Sequence, residues 1–352
     1  MKRRVLIGLF GFNLLRQSSA HHQQHCLSFL PNPIKHCTSI RQSLPQGAMP
    51  NNVDARTMFS HIIKASKLRI ISILMDNPCA EVIVVPVLSD NYAYILVDPD
   101  SKESLCVDPA EPRIVLEAAA ERNVRLSAAF CTHKHHDHSG GNMELQRLLP
   151  GVEVYGSCYE SVPGVTKGLS DGEIVKFGNL EIRCVKAACH TVGHMLYYVT
   201  NPGNPELQPI LFTGDTVFIA GCGRFFEGSA DMMVDIMRML RGYRKDTLVY
   251  CGHEYTLRNL EFAKTVDPSD SVMSKLSWTE RVLSMNMPTV PSTLEEVCTF
   301  VSSPTNSTLR FLISFQEFQY NPFMRAGDLK DAVNATSEVE AMAMLRSMKN
   351  RF

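Results

Sequence analysis

From about residue 78 onward, short apolar runs alternate with polar turns along the chain. Residues 82–88, 92–97 and 105–107 are apolar, and the turn-forming pairs Asp90-Asn91 and Pro99-Asp100 separate them. Apolar runs of this length between turn formers are typical of strands joined by short connections. The pattern therefore predicts an antiparallel meander of three strands, in which Asp90 and Asn91 serve only the turn.

Helical and extended patterns are mixed in the next part of the chain. Residues 112–121 fit a helix with Pro112 in its first turn, where proline is favoured. A buried strand at 126–131 and a helix at 142–149 follow. Further strands are predicted at 152–155, 174–177, 182–187 and 196–199. Strands interspersed with helices predict a layered α/β architecture.

After Tyr255 the pattern becomes helical, at residues 257–263, 272–283 and 329–348. A length of 352 residues exceeds one average domain, so two domains, or one large one, are expected. We place an α/β domain at 78–255 and a smaller helical domain at 256–352. Residues 297–316, Ser/Thr-rich and then apolar, interrupt the helical pattern of the second domain.

Residues 1–74 differ from the rest in charge. The first acidic residue is Asp54, and six Lys or Arg residues precede it. A basic, acid-poor leader resembles a mitochondrial transit peptide and predicts a location in the mitochondrial matrix. The alternatives are a secretory signal, with residues 5–12 as its apolar part, and a disordered extension. Initiation at Met75 would give a cytoplasmic form without the leader.

The net charge of −1 gives no reason to expect a nucleic-acid partner. No apolar run is long enough to span a bilayer, so no membrane association is expected. The eleven cysteines are an odd number without a CxxC pair, which favours reduced thiols inside the cell over a disulfide framework. Because nothing marks a large exposed apolar patch, we expect a monomer.

Candidate chemistry is concentrated in residues 132–141, between a predicted strand and a predicted helix. Four of the twelve histidines lie within six residues there, which argues against a chance polar loop. His133 and His135 are two residues apart and can face one metal ion. Asp137 and His138 follow directly and can face a second ion. Imidazole nitrogen and carboxylate oxygen suit zinc or a similar divalent metal.

Three later loops also follow apolar strands and carry single candidates, each weak by itself. His190 can complete the first metal site, and nearby His194 is a candidate to support the ligands instead. Asp215, in a Gly-Asp turn, can bridge two metals. His253, in a Gly-His turn, can complete the second site. Four strand-end loops that deliver ligands in a fixed order form a specific signal.

This order, HxHxDH, then a distant His, then TGD and then GH, resembles the metallo-β-lactamase superfamily. Within it the chain is more similar to the glyoxalase II, or hydroxyacylglutathione hydrolase, family. That resemblance covers roughly residues 78–328 and includes Cys189-His190-Thr191, Gly221-Cys222-Gly223-Arg224, Cys251 to Thr256 and Asn321-Pro322-Phe323-Met324-Arg325. It implies an αββα sandwich followed by a smaller α-helical C-terminal domain.

The resemblance also implies a chemistry. It places one metal on His133, His135 and His190, a second on Asp137, His138 and His253, and Asp215 between them. Two ions, most simply zinc, with iron or manganese as alternatives, can hold a hydroxide that attacks a thioester carbonyl. The implied enzyme hydrolyses S-2-hydroxyacylglutathione, such as S-D-lactoylglutathione, to a 2-hydroxy acid and glutathione in methylglyoxal detoxification. His133, His135, Asp137 and Asp215 are the implied catalytic residues, and Asp137 can also orient the nucleophile.

The residues that bind glutathione in the family are retained less completely in this chain than the metal ligands are. Arg224 can serve as the family's basic residue and Tyr255 is retained, but the family's Tyr is replaced here by Phe226. Arg325 would pair with a carboxylate, whereas the nearby Asp328 has the wrong sign for an anionic ligand, unless Lys330 compensates.

Two alternatives remain open at this point. A mononuclear-iron persulfide dioxygenase would share the metal motif but lack the helical domain. A catalytically impaired homologue would fit Phe226, Asp328 and residues 297–316, which are an insertion relative to the family pattern.

Overall fold

A computed structural model describes residues 77–294 and 317–352, all within one compact unit. The predicted leader and the insertion at 297–316 lie outside the described residues. The first sheet has six strands, in the spatial order of the sequence. Its strands are β1 (Glu81–Val87), β2 (Asn91–Val97), β3 (Ser104–Val107), β4 (Leu126–Phe130), β5 (Glu153–Ser157) and β6 (Lys167–Leu169). Strands β1 to β3 pair antiparallel, which confirms the predicted meander, and β3 to β6 pair in parallel.

The second sheet also has six strands, in the order β14-β13-β10-β9-β8-β7. Its strands are β7 (Ile174–Phe177), β8 (Leu180–Lys186), β9 (Met195–Thr200), β10 (Ile210–Gly214), β13 (Leu248–Cys251) and β14 (Ser292–Thr293). Most neighbours pair antiparallel, but β10 and β13 pair in parallel. A short ribbon of β11 (Val217–Phe218) and β12 (Gly221–Cys222) follows β10.

Helices lie on both outer sides of the paired sheets. The helices of the described residues are α1 (Pro112–Glu121), α2 (His136–Ser139), α3 (Asn142–Leu148), α4 (Ala230–Leu240), α5 (Thr256–Val266), α6 (Asp270–Ser284), α7 (Glu317–Tyr320) and α8 (Glu338–Arg351). A 3-10 turn at Asp331–Val333 precedes α8. Within the described residues, no helix has the length and apolar character needed to cross a membrane.

Successive side chains of β1 point alternately into two separate layers of the hydrophobic core. Val84 joins the cluster between the sheets, whereas Ile83 and Val85 pack with α1 and α3. Rings join the sheets directly, because Tyr94 of β2 lies 5.3 Å from Phe212 of β10. Each fully buried aliphatic or aromatic side chain contributes about 1.5–3 kcal/mol relative to exposure. Two sheets packed face to face with helices outside form an αββα sandwich, which confirms the predicted fold class.

The C-terminal part differs from the sequence prediction. The continuous helix predicted at 329–348 is wrong, since Asn334 has a left-handed φ of 55° and interrupts it. Helix α8 begins only after Ser337, whose side chain accepts a hydrogen bond from the backbone N–H of Glu340. Helix α4 was not predicted, although the spacing of Met233, Met237 and Leu240 after Ser229 is helical.

Candidate dinuclear metal centre

Loops from both sheets meet at one end of the sandwich. The loop after β4 carries His133 and His135, and α2 then places Asp137 and His138 in a single turn. The β8–β9 loop brings His190, and the ends of β10 and β13 bring Asp215 and His253. The sheets are joined beside the site, because Tyr92 donates its backbone N–H to the carbonyl of Gly252 at 2.9 Å.

The first donor group consists of three imidazoles. The Nδ1 atom of His135 lies 3.0 Å from the Nε2 atom of His133 and 3.0 Å from the Nε2 atom of His190. One oxygen of Asp215, Oδ2, lies 3.4 Å from His190 Nε2. His133 and His190 are buried, whereas His135 is partly exposed.

The second donor group combines a carboxylate with two imidazoles. The Oδ2 atom of Asp137 lies 3.6 Å from His138 Nε2 and 3.4 Å from His253 Nε2, and these two nitrogens are 3.3 Å apart. The other oxygen of Asp215, Oδ1, lies 3.3 Å from His138 Nε2 and 3.4 Å from His253 Nε2. The structure thus brings together all seven residues that the sequence singled out. His136, also in the motif, is exposed and belongs to neither group.

The separations fit a metal in each group. Four donors at about 2.0–2.1 Å from a tetrahedral ion lie about 3.3–3.4 Å from one another. Asp215 turns one oxygen to each group, and its buried Oδ1 finds no hydrogen-bond partner within the described part of the chain. A buried carboxylate oxygen without a partner is costly. The donor set therefore fits two divalent ions that share Asp215.

The pKa values of the histidines also indicate that the carboxylates of the cluster favour positive charge beside them. Burial opposes the charged form of His253, but the neighbouring Asp137 and Asp215 carboxylates outweigh this effect and raise the pKa of His253 to about 10. Burial likewise opposes a charged His138, yet the Asp215 and Asp108 carboxylates raise its pKa. In the first group the balance is reversed, since burial and neighbouring histidines hold the pKa of His133 well below its usual value. Cations are thus favoured beside Asp215, and divalent ions would supply them.

Two residues that sequence reasoning did not assign to the site orient its histidines. Asp108 Oδ2 lies 2.9 Å from the Nδ1 atom of His138, and Asp90 Oδ1 lies 2.9 Å from the Nδ1 atom of His253. Because each carboxylate accepts the Nδ1–H, Nε2 is the nitrogen that faces the donor group. The expectation that Asp90 only forms a turn was wrong. Asp108 is a lone Asp after β3, and no spacing in the sequence marks it.

Asn91 also does more than form a turn. Its Nδ2 donates to the Oδ2 atom of Asp137 at 3.0 Å and to the Asp137 carbonyl at 3.2 Å. His194 plays the supporting part expected of it, since its Nε2 accepts the backbone N–H of Asp215 at 3.0 Å. These contacts hold Asp137 of the second group and Asp215, which the two groups share.

Close packing around Asp215 explains one glycine of the motif. A Cβ atom on Gly252 would lie 2.4 Å from Asp215 Oδ1 and 2.8 Å from Cε1 of His138. Only glycine leaves room for the carboxylate between the donor groups.

Two aromatic rings flank the centre. The ring of Phe226 lies 5.1 Å from that of His190 and 5.9 Å from that of His135, and 60% of the residue is exposed. On the other side, Tyr255 stacks on His253 with ring centroids 4.6 Å apart and planes 8° apart. Both residues were predicted to bind substrate, and both lie against the donor groups.

The two arginines that were predicted to bind substrate differ in their position relative to the centre. Arg224 adjoins the centre through its backbone, because its carbonyl lies 3.0 Å from Nδ1 of His190, and its side chain is exposed. Arg325 instead pairs with Asp267 and donates to the carbonyl of Gln319 at 2.8 Å. Within residues 77–294 and 317–352, no hydrogen bond or ion pair joins Arg325 to the seven donors. Asp328 lies 4.0 Å from the Nε atom of Arg325.

Comparisons with known proteins agree with this architecture. A family model described as "Hydroxyacylglutathione hydrolase C-terminus" matches residues 254–300 and 301–352. The chain is 36% identical over 273 residues to "Hydroxyacylglutathione hydrolase cytoplasmic" of Arabidopsis thaliana, covering 76% of this chain and 97% of that protein. It is 38% identical over 273 residues to "Hydroxyacylglutathione hydrolase-like protein" of Gallus gallus, covering 76% of this chain and 89% of the relative.

Solved structures similar to the chain include a metallo-β-lactamase from Staphylococcus aureus, with 18% identity and a TM-score of 0.42 over 51% of this chain and 56% of that one. The structure of ETHE1 from Myxococcus xanthus gives 25% identity and a TM-score of 0.42 over 57% and 88%.

The αββα sandwich with histidines and aspartates gathered at one end defines a protein of the metallo-β-lactamase fold. Its helical C-terminal segment narrows that class. From the family match there and the sequence relatives, the chain belongs to the hydroxyacylglutathione hydrolase family.

Proposed function

We propose that the chain hydrolyses S-2-hydroxyacylglutathione, such as S-D-lactoylglutathione, to a 2-hydroxy acid and glutathione, as a step of methylglyoxal detoxification. The observation that carries this proposal is the pair of donor groups that share Asp215. Two divalent ions bound there, with zinc favoured and iron or manganese as alternatives, would supply Lewis acidity and an activated water near neutral pH.

Side chains of the second group would orient the attacking water. Asp137 is the only one of its three members with substantial exposure, with 41% of its side chain accessible. Asn91 fixes the Oδ2 atom of Asp137, so the other carboxylate oxygen is available to accept a hydrogen bond from water. Burial of His138 and His253 keeps bulk solvent away from the rest of the group.

A thioester substrate requires less catalytic assistance to its leaving group than an ester or an amide does. A thiolate leaves more readily than an alkoxide or an amide nitrogen, so no strong general acid is required. Oxyanion stabilisation is then the main task of the site. In the first donor group the partly exposed His135 lies beside the exposed ring of Phe226, and we place the substrate carbonyl there.

Recognition of the glutathione part would depend on Arg224 and Tyr255 near the centre. We place Arg325 further out, as a partner for a substrate carboxylate. To serve there it must exchange its ion pair with Asp267 for the ligand, while Asp328 repels an anion. This arrangement predicts weaker binding of the glutathione part than an unpaired Arg325 would give.

Within the cell, we propose that the enzyme acts as a monomer on this small-molecule thioester in the mitochondrial matrix, with its basic leader removed. Sequencing the N-terminus of the mature protein tests the location, and a mature chain that retains residues 1–20 would contradict cleavage.

Product analysis separates this function from the persulfide dioxygenase alternative. The metal-loaded chain should release free thiol from S-D-lactoylglutathione and consume no oxygen with glutathione persulfide. Oxygen uptake with the persulfide, together with one iron per chain, would overturn the proposal. The match of residues 254–352 to a hydroxyacylglutathione hydrolase C-terminus supports the hydrolase.

A further inference from the structure

Glu160, in the loop between β5 and β6, has a carboxylate that is almost completely buried, with 1% of its side chain exposed. Its Oε1 atom accepts the backbone N–H of Lys134 at 2.9 Å and the hydroxyl of Thr191 at 3.1 Å. Its Oε2 atom accepts the backbone N–H of Gly193 at 3.2 Å and lies 3.7 Å from the ammonium group of Lys134. The burial of this charge is thus offset by donors from two segments.

Those two segments carry the first donor group. Lys134 stands between His133 and His135, and Thr191 follows His190 directly. The first segment leaves a strand of one sheet and the second joins two strands of the other sheet. One carboxylate therefore joins the loops whose relative position sets the distance between His135 and His190. It contacts none of the residues of the second donor group, as far as the described hydrogen bonds and ion pairs show.

Packing at Gly193 supports a tight fit. A Cβ atom on this residue would lie 2.4 Å from Cγ of Glu160 and 2.9 Å from its carboxyl carbon. Gly193 does not have a positive φ, so its backbone conformation is open to any residue. Space for Glu160, and not backbone freedom, is what requires glycine here.

A second, more exposed ion pair lies beside the contacts of Glu160. The ammonium group of Lys134 lies 2.7 Å from an oxygen of Glu227, and Glu227 accepts the backbone N–H of Val192 at 2.8 Å. Because both side chains are about one-third exposed, water and salt screen this pair. The buried Glu160 is therefore the stronger link between the loops.

We propose that Glu160 is a positioning residue that sets the geometry of the first metal site, and thereby its affinity, without acting on the second site. This inference rests on the proposed dinuclear centre. Residues that orient metal ligands through hydrogen bonds typically change metal affinity about 10–100-fold when they are replaced.

The test is zinc binding by the full chain, measured by competition with a chromophoric chelator after metal removal. Glu160→Ala removes the carboxylate, and Gly193→Ala displaces it without changing any charge. Both variants should weaken one of two zinc equivalents about 10–100-fold and leave the other unchanged. The matched control is Glu153→Ala, an exposed carboxylate on β5 that pairs with Lys167 and should leave both equivalents unchanged.

A double variant assigns the affected site. Asp137→Ala weakens the second group, so adding Glu160→Ala to it should leave no tight zinc. If Glu160→Ala does not fold, Gly193→Ala and Glu160→Gln provide the answer. Two unchanged equivalents in the folded variants, or an equal weakening of both, would overturn the role of Glu160. Failure of the unaltered chain to bind two equivalents would instead overturn the proposed dinuclear centre.

Discussion

At the scale of single residues, the seven donors were identifiable from the sequence because their motifs follow strand ends. The groups that orient them were not. Asp108 reaches His138 only when β3 and β4 pair, and Asp90, in the β1–β2 turn, reaches His253 only when the two sheets meet. Glu160 likewise has no motif, and its role depends on contacts 26 to 33 residues away in the sequence. Short-range spacing in the sequence therefore predicts the metal ligands better than it predicts the residues that orient them.

Replacement of Asp137 tests the second donor group. Asp137→Ala removes one of its three ligands and leaves His138 and His253 in place. We expect about one tightly bound metal per chain and a loss of at least about 100-fold in kcat, since even indirect support is worth 10–100-fold. Metal analysis and steady-state kinetics on the same sample provide the measurement. Asp235→Ala, an exposed carboxylate on α4, is the control; unchanged metal content in D137A would contradict the assignment.

Phe226 offers a test of thiol recognition. Phe226→Tyr restores a hydroxyl at the position where the family has Tyr. A new hydrogen bond is worth about 0.5–1.5 kcal/mol, so KM for S-D-lactoylglutathione should fall about 2- to 10-fold with kcat unchanged. KM for a thioester that lacks the glutathione part serves as the control and should not change. A lower kcat with the same KM would show that the ring acts on the acyl group instead.

At the scale of elements, strands and helices with clear periodicity were predicted closely. Helix α1 and strand β7 have the predicted bounds. The C-terminal helix was misplaced, because residues 329–348 are apolar enough to look continuous while Asn334 and Ser337 impose a turn and a new start. Local backbone preference overrode the hydrophobic pattern there.

Lys349 on α8 makes the stability of the folded chain depend on pH. Burial, followed by repulsion from Arg346 and Arg258, lowers the pKa of Lys349 to about 7 from 10.5. Between about pH 7 and 10.5 the unfolded chain therefore binds more protons at this position than the folded chain, and stability from this group rises with pH. Below about pH 7 both states are protonated and the contribution is constant.

The variant Lys349→Met removes this titration. The Tm of the unaltered chain relative to the variant should increase between pH 7 and pH 9.5, as measured by thermal unfolding of the metal-free proteins. Lys264→Met, an exposed lysine on α5, is the control. A Tm difference that falls with pH would contradict a lowered pKa of Lys349 in the folded chain.

At the scale of the whole molecule, the helical segment is joined to the sandwich beside the metal centre. Glu254 follows His253 and accepts hydrogen bonds from Tyr92 of β2 and from the backbone N–H of Thr289. Asn321 donates to the carbonyl of Gly221 in the ribbon, and Arg346 of α8 donates to that of Cys222. The Asn-Pro-Phe-Met-Arg motif thus has a structural task besides the one proposed for Arg325.

The layered α/β class followed from strand and helix patterns, but the division into two facing sheets did not. Pairing of β10 with β13, for example, joins strands that are far apart in sequence. The resemblance to a known family supplied that arrangement, and the structure agrees with it. Sequence alone leaves metal identity open, because the same nitrogen and oxygen donors suit zinc, iron and manganese.

The central claim is that two metal ions, shared through Asp215, carry thioester hydrolysis. Its most direct test is the rate of S-D-lactoylglutathione hydrolysis by the metal-free chain as zinc is added in known equivalents. The rate should rise until about two equivalents are bound and then stay constant. A maximal rate at one equivalent, or no turnover with two bound, would contradict the account.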